Sequence, residues 1–360
     1  MKRLCIVTHN MAGGGCERVI AQLANQFVTW GIGCTIVTEY ACASFYPLDE
    51  RVRLVPMLPG GACPSRSIPR AYLALRRLVR RERPDVVLAM PEKVNVWTVL
   101  FLLGSGVPVA VSERNDPRRH PESRVKRALR RLLYPFARGF IFQTEQAAAY
   151  FSRCIRARAA VLPNPLDAAR LGPPWDGPRE KRVAFVGRLE RQKDVPLLLN
   201  AFARFHAAHP DWVLDLYGDG SQRAALEAQA RALLPAGMVT FFGACPDVAD
   251  RIRRAGLFAL SSAFEGMPNA LIEAMALGLP CVATDCPCGG PAALIEHGQN
   301  GLLAPVGDAE AFAAALSRLA DDPALAAALG RQARDIATRL DVRRVAGEWR
   351  EYLASCCSSR

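Results

Sequence analysis

The stretch Ser262-Ala263-Phe264-Glu265-Gly266-Met267-Pro268-Asn269-Ala270-Leu271-Ile272-Glu273-Ala274 places two carboxylates eight residues apart around a turn that runs into a helix. A helix start leaves backbone N–H groups without intrahelical partners, and these groups attract anions. Glu265 falls just before that start and Glu273 about one turn inside it. An anion site flanked by hydroxyl-binding carboxylates suits a diphosphate carried between two polyols, which is the chemistry of a nucleotide sugar.

Working outward, Gly278-Leu279-Pro280-Cys281-Val282-Ala283-Thr284-Asp285 follows the helix with a turn and a strand. Upstream, Val186-Gly187-Arg188-Leu189-Glu190-Arg191-Gln192-Lys193-Asp194 follows another short apolar run. Arg188 offers a planar fork and Lys193 a point charge, two cations able to meet one diphosphate. When a nucleoside diphosphate leaves a sugar, its growing charge must be met by a metal or by fixed cations. The chain has no Asp-x-Asp motif. Fixed cations are therefore the economical expectation, with no metal and no cofactor beyond a nucleotide-sugar co-substrate.

Together these segments resemble the donor site of the retaining glycosyltransferases of family 4, which have the GT-B fold. The resemblance spans nearly the whole chain and is most specific over residues 183–305. It implies an α/β architecture of two Rossmann-like, doubly wound domains facing a central cleft. It also implies that Arg188, Lys193 and Glu265 carry the chemistry, with Glu265 near the transferred sugar and Glu273 on the ribose. Donor binding would fall to Gly14, Gly15, Gly187, Gly218, Gly266, Met267, Pro268, Asn269, Leu271 and Glu273, with Leu271 packed beneath the ribose. Phe242-Gly243 resembles the segment that contacts the base. On the acceptor side it points to Glu113 and Asn115, in Ser112-Glu113-Arg114-Asn115-Asp116, and to Gln143. Many family members carry a His at a comparable point, and here the nearest is His120.

The rest of the chain agrees with such an architecture. Short β-branched runs alternate with helical patterns, which predicts parallel sheets covered on both faces. Strands are expected at Leu4–Thr8, Thr35–Thr38, Val86–Leu88, Val107–Val111 and Phe140–Gln143. Helices are expected at about Glu17–Trp30, Pro69–Arg83, Lys93–Leu103 and Glu122–Tyr134. Pro and Gly cluster between Pro163 and Pro178, the composition of a linker. A second series of strands follows from Arg182 through Trp212–Tyr217, Val239–Phe242, Leu257–Leu260 and Pro280–Ala283. The expected division is residues 1–165, a linker at 166–180, and 181–341. A tail helix from Val342 is expected, by resemblance, to pack back on the first domain.

Gly13-Gly14-Gly15 follows the first strand, but Arg18 occupies the third glycine position of a dinucleotide-binding fingerprint, which weakens a nicotinamide reading. His9 ends the first strand and is a candidate to face the cleft. His206 and His209 are read as surface residues at a helix end.

Of 360 residues, 51% are hydrophobic, enough to bury two cores. The net charge of +12 is unevenly spread. Residues 1–165 hold 25 basic and 11 acidic residues, whereas residues 166–360 are close to neutral. Within Arg118–Arg138 eight cations stand against Glu122, and Val125, Ala128, Leu129, Leu132, Leu133 and Phe136 recur at helical spacing. Such a helix, around Arg124–Arg138, can rest on an anionic membrane. Alternatively its apolar stripe faces the sheet. Nucleic-acid binding would rest on charge alone and is not expected. The twelve Cys lack metal-ligand spacing and read as free thiols in a reducing compartment. The N-terminus lacks the apolar run of a signal peptide, and the Val96–Val111 run is broken by Gly104, Gly106 and Pro108. The expected location is cytoplasmic, at the inner membrane face.

The leading expectation is therefore transfer of a sugar from a nucleotide diphosphate donor, a UDP-hexose or UDP-N-acetylhexosamine foremost. The acceptor would be a hydroxyl of a lipid-linked glycan or oligosaccharide in surface-polysaccharide or lipopolysaccharide assembly. The rivals are a nucleotide-sugar epimerase on the same fold and a basic nucleic-acid-binding protein.

Overall fold

The computed structural model describes residues 1–60 and 67–357. Cys63 and the end of the tail beyond residue 357 lie outside the described residues. The chain divides into two compact units, Met1–Pro165 with Val342–Arg360, and Leu166–Asp341.

In chain order the first unit contains β1 (Arg3–Thr8), α1 (Gly15–Thr29), β2 (Gly33–Tyr40), β3 (Arg53–Leu58), α2 (Ile68–Glu82), β4 (Val86–Ala89) and α3 (Glu92–Leu102). These are followed by β5 (Val109–Ser112), α4 (Arg124–Leu133), β6 (Gly139–Phe142), α5 (Glu145–Ala149), α6 (Arg153–Arg156) and β7 (Ala159–Val161). The seven strands form one parallel sheet in the order β3-β2-β1-β4-β5-β6-β7. Ile6 sits level with Ile36 on one side and Leu88 on the other. Helices cover both faces of a parallel sheet, so its central strands are continuous apolar runs rather than alternating ones. Leu4–Val7 and Val86–Ala89 follow that rule and are fully buried or nearly so.

The second unit runs β8 (Glu180–Val186), α7 (Val195–Ala208), β9 (Val213–Tyr217), α8 (Arg223–Leu233), β10 (Val239–Gly243), α9 (Val248–Ile252) and β11 (Ala255–Leu260). It continues with α10 (Asn269–Ala276), β12 (Cys281–Thr284), β13 (Leu302–Ala304), α11 (Ala309–Asp321), α12 (Pro323–Ala333) and α13 (Ile336–Arg339). Its parallel sheet has the order β10-β9-β8-β11-β12-β13. Phe185, Leu198, Phe202, Phe205, Leu216, Phe312 and Leu316 belong to its core. Strand order reverses between β1 and β4 in the first sheet and between β8 and β11 in the second. Ligands of doubly wound sheets bind beyond the strand ends at such points.

The last helix, α14 (Val342–Cys357), belongs to the first unit. Trp349 is fully buried, and its Nε1 donates to the Pro163 carbonyl at 3.2 Å. Tyr352 Oη accepts from Phe140 N at 2.7 Å and donates to the Arg158 carbonyl at 2.5 Å. Gly139 lies under this helix. A Cβ there would stand 2.5 Å from Cys356 Sγ, so close approach requires glycine.

Residues 166–180, read from composition as a linker, are packed onto the second unit. Leu166 N donates to the Leu340 carbonyl at 2.7 Å, Leu171 is buried, and Arg254 lies over the Trp175 ring at 4.5 Å. Pro and Gly here shape an irregular surface segment. His206 and His209 are also more enclosed than expected. His206 Nδ1 is 3.3 Å from the Trp212 carbonyl, and His209 stacks on Phe205 with centroids 4.5 Å apart. Eleven cysteines among the described residues are free, and burial pushes the thiols of Cys5, Cys34 and Cys286 up to about 12. No described helix is long and apolar enough to cross a membrane.

Candidate active site

In the second unit, the loops after β8, β9, β11 and β12 come together through backbone contacts that side chains would prevent. Gly218 has φ of 133°, and a Cβ on it would lie 2.0 Å from the Gly187 carbonyl oxygen. Gly220 meets the Leu189 carbonyl in the same way, at 2.4 Å. Gly290 is packed on the Gly266 carbonyl, with a Cβ position only 1.6 Å away. Glu265 N donates to the Pro287 carbonyl at 3.0 Å. The Cys286–Gly290 loop thus buttresses the turn that precedes α10.

Glu265 is the junction of this assembly. It is buried, and Lys193 Nζ forms an ion pair with its Oε1. Ser262 Oγ donates to the same oxygen at 2.7 Å, while Gln192 Nε2 donates to Oε2 at 3.2 Å. The backbone joins the two loops as well. Ala263 N donates to the Gln192 carbonyl at 2.9 Å, and Ser261 Oγ donates to the Lys193 carbonyl at 2.9 Å. Buried ion pairs persist when remaining lone pairs are also satisfied, and here Ser262 and Gln192 supply the additional bonds. Lys193 and Glu265 therefore act as one positioned pair.

Arg188 is exposed, and its guanidinium makes no hydrogen bond to the described residues. The neighbouring Glu190 carboxylate accepts from Ser221 N at 2.8 Å and Ser221 Oγ at 2.7 Å, which hold it below the usual carboxylate range. Glu273 is buried on α10, whose start has no side-chain cap bond. Met267 and Asn269 are half-buried at that start, beside buried Gly266 and Pro268. Leu271, expected beneath the ribose, is wholly buried. At the ends of β9 and β10, Phe242 lies flat on Tyr217, with centroids 4.8 Å apart and planes 7° from parallel. Phe242 keeps 40% of its surface exposed.

In the first unit Gly14 precedes α1 and Gly15 opens it. The expected acceptor residues have other partners. Glu113 is buried, with Tyr134 Oη donating to Oε1 and Arg130 Nη1 3.3 Å from Oε2. Burial pushes its carboxyl up to about 7 even with Arg130 beside it. Asn115 Oδ1 accepts from Asp116 N at 2.8 Å and shapes a local turn. Gln143 is buried and donates to Asn164 Oδ1 at 2.8 Å. Arg114 also donates to Asn164 and lies 5.6 Å from the Trp349 ring. Burial pulls its guanidinium down to about 10. His120 Nδ1 stands 4.0 Å from Glu92 Oε1. Among the described residues no group of three or more His, Cys, Asp or Glu is placed to hold a metal.

The basic helix is turned differently from either sequence reading. Arg130 is buried, donating to the Pro117 carbonyl at 2.6 Å and the His120 carbonyl at 2.8 Å. Its guanidinium lies 5.2 Å from the rings of Tyr150 and Phe151. Leu133 is buried beside it, whereas Val125, Leu132 and Phe136 are 69%, 65% and 64% exposed. One cation therefore points inward and part of the apolar stripe points outward.

A family model described as Glycosyltransferase Family 4 matches residues 13–170, and one described as Glycosyl transferases group 1 matches residues 176–336. The chain belongs to the family 4 glycosyltransferases.

The transferase is similar over 98% of its length to the GalNAc-alpha-(1->4)-GalNAc-alpha-(1->3)-diNAcBac-PP-undecaprenol alpha-1,4-N-acetyl-D-galactosaminyltransferase of Campylobacter jejuni. That relative is 24% identical and covered over 99% of its own length. A lipopolysaccharide 1,6-galactosyltransferase of Salmonella typhimurium is 35% identical over 41% of this chain and 42% of the relative. Among solved structures, HepE of Anabaena in complex with UDP and glucose superposes with a TM-score of 0.83 at 19% identity, covering 99% of the transferase and 100% of HepE. Sucrose-phosphate synthase of Thermosynechococcus elongatus gives 0.86 at 19% identity, with the same coverage. The fold of this glycosyltransferase is GT-B. Ser262, Gln192 and the Gly289-Gly290 turn were not singled out from sequence. Gln192 and the Gly290 contact join segments tens of residues apart, whereas Ser262 is three residues from Glu265 and could have been read from the motif itself.

Proposed function

We propose that this glycosyltransferase moves a hexosyl or N-acetylhexosaminyl group from a UDP-sugar to a hydroxyl of a lipid-linked glycan, with retention of configuration and without a metal. The observation that carries the reading is the Lys193–Glu265 pair, locked by Ser262 and Gln192 in the turn before α10, with Glu273 one turn into that helix. Arg188 and Lys193 bind the diphosphate. Glu273 holds the ribose, and the exposed face of Phe242 takes the base. Glu265 orients Lys193 and faces the transferred sugar. As the bond from C1 to the phosphate oxygen breaks, the acceptor oxygen bonds C1 from the same side, and its proton passes to the departing phosphate. Positioning and fixed charge then supply most of the rate.

The acceptor class and the setting draw support from relatives whose names specify an undecaprenol-linked glycan and lipopolysaccharide. We assign the transferase to surface-polysaccharide assembly at the cytoplasmic membrane face. The surface of α4 and the turn after it supports this, because exposed Val125, Leu132 and Phe136 stand among Arg124 and Arg131. Cations with exposed apolar side chains suit a lipid interface better than nucleic acid.

Calorimetric titration with UDP, GDP and ADP in metal-free buffer tests the donor site. UDP is expected to bind selectively, and Glu273→Ala to lose most of that affinity. A folded chain that binds no nucleotide would remove the reading. Turnover of the UDP-sugar to its epimer without acceptor would favour the epimerase.

A further inference from the structure

His9, at the carboxyl end of β1, belongs to a polar cluster that the donor chemistry does not use. Its Nδ1 lies 2.5 Å from Glu39 Oε2, at the end of the adjacent strand β2. Glu39 is buried, and Tyr72 Oη on α2 donates to its other oxygen at 2.8 Å. Tyr40 meets the imidazole edge-on, with centroids 5.4 Å apart, and its hydroxyl accepts from Asn10 Nδ2 at 3.0 Å. The His9 side chain remains 34% exposed, and its Nε2 makes no hydrogen bond to the described residues. A carboxylate on one ring nitrogen fixes the imidazole and leaves the other nitrogen for a ligand.

The loop after β2 adds an aromatic surface. Phe45 is 55% exposed and rests on Gly13, where a Cβ would come within 3.3 Å of its ring. Phe45 N donates to the Met11 carbonyl at 2.8 Å, which ties this loop to the one that follows His9. Tyr46 packs edge-on against Phe45, and Arg18 lies over Tyr46.

We propose that this edge of the first sheet is a subsite for an uncharged pyranose ring of the acceptor glycan. His9 Nε2 hydrogen-bonds a ring hydroxyl, and Phe45 packs against the C–H face of the sugar. Glu39 and Tyr72 are positioning residues that hold the imidazole. The chemistry selects a polyol over an anion. Glu39 offsets any charge on His9, whereas a hydroxyl can donate to Nε2 of the neutral ring and accept from it when the ring is protonated. The site lies beside the β1–β4 reversal in strand order, where doubly wound sheets bind ligands. The assignment rests on the sugar-transfer reading above.

The test uses the full chain with ¹⁵N-labelled histidine, five residues in all. Methyl α-D-glucopyranoside, methyl α-D-galactopyranoside and methyl N-acetyl-α-D-galactosaminide are titrated at millimolar concentration, with inorganic phosphate as a parallel probe. At least one glycoside is expected to shift the His9 ring signals, and phosphate to leave them in place. His9→Ala and Phe45→Ala should each weaken that glycoside about tenfold, the loss of roughly one hydrogen bond or one ring contact. Tyr72→Phe, which removes only a hydroxyl, should broaden the Nδ1 proton signal of His9. Glu273→Ala should abolish UDP binding and leave the glycoside response intact. A His9 response to phosphate alone, or a silent His9 in a chain that still binds UDP, would overturn the subsite and spare the donor reading. A His9 response without UDP binding would sink the donor reading and keep the glycan site.

Discussion

Glu113 and Glu265 are both buried carboxylates beside a cation, and they do different work. Glu265 is ringed by Lys193 and Gln192, which reach from the loop after β8, and by Ser262 from its own loop after β11. Lys193→Ala is expected to lower turnover about a hundredfold, in the range of other losses of transition-state charge stabilisation, while UDP affinity falls much less. Steady-state rates beside UDP titration check this, and wild-type turnover in the variant would refute the assignment. Glu113 instead sits under α4, where burial lifts its carboxyl to about 7 from an ordinary 4.5. The folded chain keeps this proton over a pH range in which the unfolded chain releases it. The stabilisation is thus full below about pH 4.5 and lost as pH rises to about 7. It amounts to about 3 kcal/mol for this group. Urea unfolding across that range should show the decline, and Glu113→Gln should flatten it, since Arg130 retains its carbonyl partners. The carboxylates proposed for the donor site were legible in sequence because their motif is local. The sequence did not show the partners of Glu113, because Arg130 and Tyr134 reach it from α4 and the turn after it, 17 and 21 residues along the chain.

Among the elements, α4 shows how far periodicity can be read. Its spacing identified an amphipathic helix, but the inward face could not be chosen. Burial of Arg130 depends on the Pro117 and His120 carbonyls and two aromatic rings, all non-local. The outward residues give a sharper membrane prediction. Arg124→Glu with Arg131→Glu, or Leu132→Asp with Phe136→Asp, should release the chain from phosphatidylglycerol vesicles. Unchanged co-sedimentation of both doubles would reject docking through α4. Arg130→Glu is a poor probe, since it places two carboxylates together in the interior. The strands that sequence reading missed are the edge or short ones. β3 carries Pro56 inside an edge strand, and β7 and β13 have three residues each, too few to show a period. Trp349 on α14 is fully enclosed in the first unit, so Trp349→Ala should cost about 3–5 kcal/mol. Chemical denaturation would register this, and a loss below 1 kcal/mol would contradict the packing described.

Across the whole molecule, the two units share one plan and differ in how the chain composes them. The second is continuous from Leu166 to Asp341, whereas the first is built from Met1–Pro165 plus α14. Alternation of strand and helix made both sheets legible, and the excess of positive charge made the first half distinct. A ribosome releases α14 only after the entire second unit has been made. Until then Gly139, Pro163 and Phe140 lack the helix that covers or bonds them. Domains fold as units while they emerge. The portion synthesised first is therefore completed last, and the interval is set by the translation of residues 166–341. Nascent chains arrested before Val342 leaves the exit tunnel should be protease-resistant in the second unit and cleavable in the first. Equal resistance of both would show that α14 is dispensable for closing the unit it joins.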